Sequence, residues 1–194
     1  KEFLKHYLIQ VKSNFAVMIT GPWGSGKTWF IDNFISEHEA ETAVNDPGSK
    51  KILRISLFGC TKPSDIDEKI FEVLHPIMSS GPVKLMEKVL KTAVKLGLKV
   101  DLDGDKKDDI TITLPKIDFK DLSTRKFEIL VIDDLERSSI DPLLLLGYIN
   151  YFIEDGSLKI ILICNEPELK QFLKDEKAKE TYRFMKEKVV GPTF

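Results

Sequence analysis

The run Gly21-Pro-Trp-Gly-Ser-Gly-Lys-Thr28 constrains this chain more than any other feature, because it fits G-x-x-x-x-G-K-[ST]. Average residue frequencies would produce the bare pattern in on the order of one chain in a hundred of this length, so its surroundings decide its meaning. Phe15–Thr20 (F-A-V-M-I-T) runs directly into it, apolar and without alternation, as a strand buried on both faces requires. A helical pattern over Trp29–Glu41, carrying Phe30, Phe34 and Ile35, follows it. Strand, glycine-rich turn and helix in that order make a phosphate cradle. Gly21, Gly24 and Gly26 let backbone N–H groups turn inward toward phosphate oxygens. A helix starting at Lys27 aims the positive end of its dipole at them. Lys27 is long enough to reach the β- and γ-phosphates, and the Thr28 hydroxyl is suited to Mg²⁺. Pro22, Trp23 and Ser25 complete the loop and Trp29 flanks it. Trp29 is expected to pack, whereas Trp23 either packs or covers the nucleotide. The expected ligand is a nucleoside triphosphate, ATP with Mg²⁺.

Such a loop needs an acidic partner, and Glu128-Ile-Leu-Val-Ile-Asp-Asp-Leu-Glu-Arg137 supplies one. Apolar residues run into Asp133 at the carboxyl end of a strand, the edge where open parallel sheets bind ligands. Asp133 is expected to hold Mg²⁺, often through water. Asp134 and Glu136 are both candidates for the base that polarises the attacking water. An extended main chain favours Asp134; a tight turn after Asp133 brings Glu136 round. A further buried strand, Lys159–Cys164, ends at Asn165. Asn165 either hydrogen-bonds the attacking water or the γ-phosphate, or caps the helix that opens with Glu166-Pro167.

The remaining segments follow the same rhythm. Glu2–Val11 sets Phe3, Leu4, Tyr7, Leu8 and Val11 on one helical face. Asn45-Asp-Pro-Gly48 has the chemistry of a loop, and Ile52–Phe58 that of a strand. Ser64–Met78 opens like a capped helix, and Asp141 with Pro142 starts another that reaches Glu154. Pro167–Lys188 is helical and highly charged. Alternating helices and doubly buried strands predict a three-layer α/β/α domain around a parallel sheet. Residues Ser79–Lys126 break the rhythm and are expected to be an insertion within one domain spanning 1–194. It holds an amphipathic helix, Pro82–Leu96, with Lys84, Lys88, Lys91 and Lys95, then a hairpin of Leu98–Leu102 and Ile110–Leu114. That helix is expected to pack its apolar side on the body; a partner, a membrane surface or nucleic acid are the alternatives.

Composition narrows the function classes. A net charge of −2 removes the simplest argument for nucleic acid, a strongly basic surface. Cys60 and Cys164 both end apolar runs and read as reduced, buried residues. His6, His38 and His75 are scattered without ligand spacing, which argues against a His/Cys metal site. No apolar stretch reaches the roughly 18 residues of a transmembrane segment, and no secretory signal is present, which predicts a cytoplasmic protein. The chain starts on Lys1 in mid-pattern and stops at Gly191-Pro-Thr-Phe194 just after a helical run, which suggests a piece of a longer protein.

The tryptophan inside G-P-W-G-S-G-K-T, with D-D-L-E-R downstream, resembles the KAP group of phosphate-loop NTPases. That group shows G-x-W-G-x-G-K-[ST] and an apolar strand ending D-D-L-D-R. The resemblance implies a sheet of order 5-1-4-3-2, with Lys159–Asn165 as the polar-tipped sensor strand and a fifth strand beyond Phe194. By position, Lys27 and Thr28 would bind phosphate and Mg²⁺, and Asp133 would hold the metal. Asp134, Glu136 and Arg137 would fill the acidic and arginine positions, Glu136 standing where the group usually has Asp. Many members carry membrane-spanning helices between the motifs; here the lysine-rich segment stands instead, and any lid domain would lie beyond Phe194. The group looks like regulated switches, and several related groups act in bacterial defence against phage or in signalling. A homo-oligomer or a partner effector is therefore expected. Two functions stay open: an ATPase driving a larger machine, and a nucleotide-gated assembly module with little hydrolysis. A small-molecule phosphotransferase ranks behind both, lacking an acceptor site and an arginine-rich lid.

Overall fold

The computed structural model describes residues 1–10, 13–45, 51–74, 127–155 and 158–194. Their strands are β1 (Ala16–Thr20), β2 (Lys51–Ser56), β3 (Phe127–Asp133), β4 (Lys159–Cys164) and β5 (Val190–Thr193). Their helices are α1 (Glu2–Ile9), α2 (Lys27–Asn45), α3 (Pro63–Leu74), α4 (Pro142–Asp155), α5 (Glu166–Gln171) and α6 (Glu176–Val189). The five strands form one sheet of order β2-β3-β4-β1-β5, all neighbours parallel. This is the expected 5-1-4-3-2 order. β4 sits between the strand that leads into the phosphate loop and the strand that ends at Asp133.

Alternation along each strand divides the core into two layers. Ala16, Met18, Leu130, Ile132, Ile160 and Leu162 face one side, against Leu145, Ile149 and Phe152 of α4 and Tyr182 of α6. Val17, Ile19, Ile129, Val131, Ile161 and Ile163 face the other, against Leu4, Tyr7 and Leu8 of α1 and Ile31 and Phe34 of α2. Every residue of β4 is buried, so the central strand carries apolar side chains on both faces. Each such Ile, Leu or Val contributes roughly 1.5–3 kcal/mol through removal from water. Tyr7 ties α1 to this strand. Its hydroxyl accepts the Ile160 N–H at 3.0 Å and donates to the Phe15 carbonyl, also at 3.0 Å.

Several expectations are corrected here. The fifth strand lies within the chain, not beyond Phe194: Val190–Thr193 pairs with β1. Past the strand, Phe194 donates to Met18 O at 2.9 Å and Thr20 donates to Phe194 O at 2.7 Å. The helix stops at Val189 because Gly191 and Pro192 cannot continue it. The charged run Pro167–Lys188 is two helices, since Asp175 caps α6 by accepting the Ala178 N–H at 2.7 Å. Strand β2 ends at Ser56, two residues before Phe58. α2 runs on to Asn45. The cap of α3 works from inside: Asp65 accepts from Thr61 N (2.8 Å), Thr61 Oγ1 (3.0 Å) and Lys62 N (3.2 Å). The α4 start is as expected, with Asp141 accepting from Leu143 and Leu144. The predicted insertion at 79–126, with its helix and hairpin, lies outside the described residues, as does Val11.

Candidate nucleotide site

The phosphate loop bridges the end of β1 and the start of α2. Gly24 and Gly26 hold φ of 78° and 83°, a region costly for any residue with a Cβ. Gly26 O accepts from Phe30 N at 2.8 Å, which begins the helix. The Lys27 ammonium folds back over the loop, donating to Gly21 O (2.7 Å) and Pro22 O (3.0 Å). Gly21 approaches the next strand, donating to Cys164 O at 3.2 Å. A Cβ there would stand 2.9 Å from Ser25 Oγ.

A cleft of about 440 Å³ opens beside this loop. Trp23, Gly24, Gly26, Lys27, Thr28 and Trp29 form one wall; Asp133, Asp134, Glu136 and Arg137 form the other. That volume lies within the roughly 300–1,000 Å³ of ordinary ligand pockets. Thr28 donates to Asp133 Oδ2 at 3.2 Å, so the hydroxyl and the carboxylate meet at the loop mouth. Two hard oxygen donors there fit a Mg²⁺ site of the kind that also takes phosphate oxygens and water.

The turn after Asp133 brings both candidate bases to the cleft by different routes. Asp134 adopts φ 58°, ψ 40°, the one non-glycine at positive φ among the described residues. A short polar residue tolerates this left-handed conformation best. Leu135–Arg137 then form a single 3₁₀ turn. The Asp134 carboxylate is turned to β2 and to its own turn, accepting from Ser56 Oγ at 2.8 Å and pairing with Arg137 Nε at 3.3 Å. Glu136 swings toward the phosphate loop, 7% exposed, and Trp23 Nε1 donates to its Oε1 at 3.0 Å. Its Oε2 is buried and accepts no hydrogen bond among the described residues. The tight-turn alternative is thus the one the chain adopts.

Other expected residues fall differently. Trp29, expected to pack, is 72% exposed and stands at the cleft rim. Trp23 is 58% exposed, held by Glu136 and lying 6.0 Å from the Arg137 guanidinium. Asn165 is buried beside Gly21 but does not line the cleft. It precedes α5 without a side-chain capping bond; its backbone carbonyl accepts from Leu169 N instead. Cys60 and Cys164 are both buried free thiols, and burial, then the carboxylates of Glu136 and Glu166, push the Cys164 thiol up to about 12.

Sequence reasoning missed three charged residues. Arg54 of β2 donates from Nη2 to Asp133 Oδ2 at 2.7 Å and from Nη1 to Asp32 of α2. Its signal was present: an arginine in the middle of Lys51-Ile-Leu-Arg-Ile-Ser56 is out of place in a doubly buried strand. Asp32 lies one turn beyond Thr28 and carried no motif. Glu166 is buried behind Asn165, pairing with Lys186 (2.8 Å) and Lys170 (2.9 Å). Burial opposes its ionisation, yet hydrogen bonds from Lys186 and Lys170 outweigh it and hold its pKa below the ordinary 4.5.

A parallel 5-1-4-3-2 sheet, a glycine loop capping α2 and a carboxylate at the tip of β3 define a phosphate-loop NTPase domain, a nucleotide-binding unit. The chain belongs to the KAP family: the model of the KAP family P-loop domain matches residues 3–194. A search of curated protein sequences found no match. Among solved structures, the ORC2 protein of Aeropyrum pernix, described as ADPNP–ADP complexes, is similar at 14% identity with a TM-score of 0.56. The alignment covers 100% of this chain and 44% of that one, so this chain spans less than half the ORC2 length. At that identity the likeness speaks to the fold alone. Domain III of the Thermotoga maritima replication initiation protein DnaA matches at 17% identity over 93% of this chain and 65% of that one. Its TM-score of 0.24 is too low to bear on the fold. Among the described residues, no helix is long and apolar enough to cross a membrane.

Proposed function

We propose that this domain is a Mg²⁺-dependent ATPase whose general base is Glu136. The observation that carries the reading is the state of that carboxylate: buried, one oxygen held by Trp23 of the phosphate loop, the other without a hydrogen-bond partner among the described residues. A buried acceptor in that condition is costly unless it serves a ligand, and a water bridging to a bound γ-phosphate would satisfy it. In this scheme Lys27 exchanges its loop carbonyls for phosphate oxygens. Thr28 and Asp133 would hold Mg²⁺, whose charge offsets that of the β- and γ-phosphates. Glu136 takes a proton from water as the oxygen attacks phosphorus in line; the bond to the β-phosphate oxygen breaks, leaving ADP and phosphate. Asn165 stays a candidate to orient that water from the tip of β4. The choice of adenine nucleotide rests on the family likeness and on the ADPNP and ADP described for the ORC2 relative. A cytoplasmic switch, acting in phage defence or signalling through a partner effector, rests on the family resemblance.

The test is phosphate release with and without Mg²⁺, alongside Lys27→Ala. Release that needs Mg²⁺ and disappears with nucleotide binding in Lys27→Ala is expected. Release that survives Lys27→Ala would place the chemistry elsewhere.

A second reading, a nucleotide-gated assembly module, is favoured by the cleft rim. Trp29 and Phe58 are 72% and 64% exposed, and Arg137 lies 6.0 Å from Phe58. Such aromatic and arginine side chains suit a contact with a second copy. Particle mass measured with ATP and with a non-hydrolysable analogue separates the two: phosphate release without any mass change sinks the assembly reading.

A further inference from the structure

Arg54 places a cation on the oxygen that the Mg²⁺ reading assigns to the metal. Its Nη2 bonds Asp133 Oδ2 at 2.7 Å, and Thr28 Oγ1 meets the same oxygen at 3.2 Å. Asp133 is 3% exposed, and its other oxygen accepts the Asp134 N–H at 2.8 Å. An ionised carboxylate that buried needs an opposite charge, and Arg54 provides it. Register explains the placement. Ser56 pairs with Asp133 and Arg54 with Val131, so the two β2 side chains share the sheet face toward α2. Ser56 reaches Asp134, and Arg54 reaches both Asp133 and Asp32 of α2. Asp32 also lines the cleft, one helical turn past Thr28.

We propose that Arg54 is a positioning residue that couples metal to nucleotide, sharing the Asp133 carboxylate with Mg²⁺ and held by Asp32 alone when the metal takes that oxygen. This rests on the Mg²⁺–nucleotide reading of the cleft. Two consequences follow from charge alone. Without the metal, Arg54 shields a γ-phosphate from the Asp133 carboxylate and so sustains nucleotide binding. With the metal, Arg54 competes for Oδ2, and Asp32, already bonded to Nη1, keeps hold of the guanidinium once Nη2 gives up that oxygen. The ratio of nucleotide affinity with Mg²⁺ to that without is therefore held low by Arg54 and raised by Asp32.

The chain's two tryptophans, Trp23 and Trp29, both line the cleft, so intrinsic fluorescence reports binding without turnover. A non-hydrolysable ATP analogue is titrated into the 194-residue chain in EDTA and in graded Mg²⁺. Arg54→Met is expected to raise the affinity ratio by about tenfold and to lower the half-saturating Mg²⁺, the scale of one charge-assisted hydrogen bond. Asp32→Asn, at an exposed position less exposed to folding defects, is expected to shift both in the opposite direction. A ratio and a Mg²⁺ midpoint unchanged in both variants overturn the proposal, as does a shift of the same sign in both. Failure of the underlying reading looks different: the unaltered chain would not bind the analogue, or Lys27→Ala would bind it equally well.

Discussion

The geometry around Asp134 and Glu136 turns on one backbone torsion. At φ 58° Asp134 reverses the chain, and its side chain goes to Ser56 and Arg137. Glu136, two residues later, faces the phosphate loop and meets Trp23. The two carboxylates therefore have different work on the proposed reading. Glu136→Gln keeps the size and the Trp23 contact but loses the basic oxygen. Single-turnover phosphate release is expected to fall by about 10²–10⁴-fold, the usual worth of a general base, with nucleotide binding retained. Asp134→Asn, which keeps an acceptor for Ser56, is expected to cost less than about tenfold. A larger loss in Asp134→Asn would transfer the base to that residue.

Among elements, β5 is the most finely fitted. It is four residues long, stands at the sheet edge and contains Pro192, which lacks the N–H that edge pairing by another chain would use. Its approach to β1 needs Gly191, since a Cβ there would stand 2.5 Å from Phe15 Cδ2 and 2.9 Å from Cγ. The Phe15 ring is itself set against Tyr7, centroids 5.6 Å apart, so it has little room to retreat. Gly191→Ala is expected to destabilise the chain by about 1–3 kcal/mol, the cost of overpacking. Urea midpoints measure it. Phe15→Leu added to Gly191→Ala should recover part of the loss, and strict additivity of the two changes would show that the ring is not the obstacle.

At the scale of the molecule, two apolar layers share one sheet, and charged and polar side chains are buried at its carboxyl edge. Asp133, Glu136, Asn165 and Glu166 are all buried there, next to the loop. Glu166 also joins α5 to α6 through Lys186, while Lys170 pairs with it within α5, against a Tyr182 hydroxyl whose pKa burial and Glu166 together raise. Because the folded pKa of Glu166 lies below the ordinary 4.5, its ion pairs contribute full stability above pH 4.5. That contribution is lost as pH falls from there through the folded pKa. Glu166→Gln is therefore expected to destabilise the chain near neutrality and to flatten the acid limb of a stability–pH curve. Parallel acid limbs for the two proteins would remove Glu166 from the cause of acid unfolding.

Reading residues in order reached the phosphate loop, the strand before it and the carboxylate at Asp133, whereas the sheet order came from the family resemblance. The first three are local features: phosphate chemistry demands given residue types at fixed spacing, and doubly buried strands announce themselves by unbroken apolar runs. The short fifth strand escaped because Val190-Gly-Pro-Thr193 is too brief and too rich in helix breakers to carry a period. The phosphate loop Gly21–Thr28 is legible from its own strand and helix alone. The partners of its chemistry are not. Trp23 meets Glu136 across a separation of 113 residues, and Arg54 meets Asp133 across 79. Only the folded sheet decides which carboxylate faces the loop and which cation sits on the Asp133 carboxylate, because those choices depend on one left-handed turn and on the register of strands that no local pattern records.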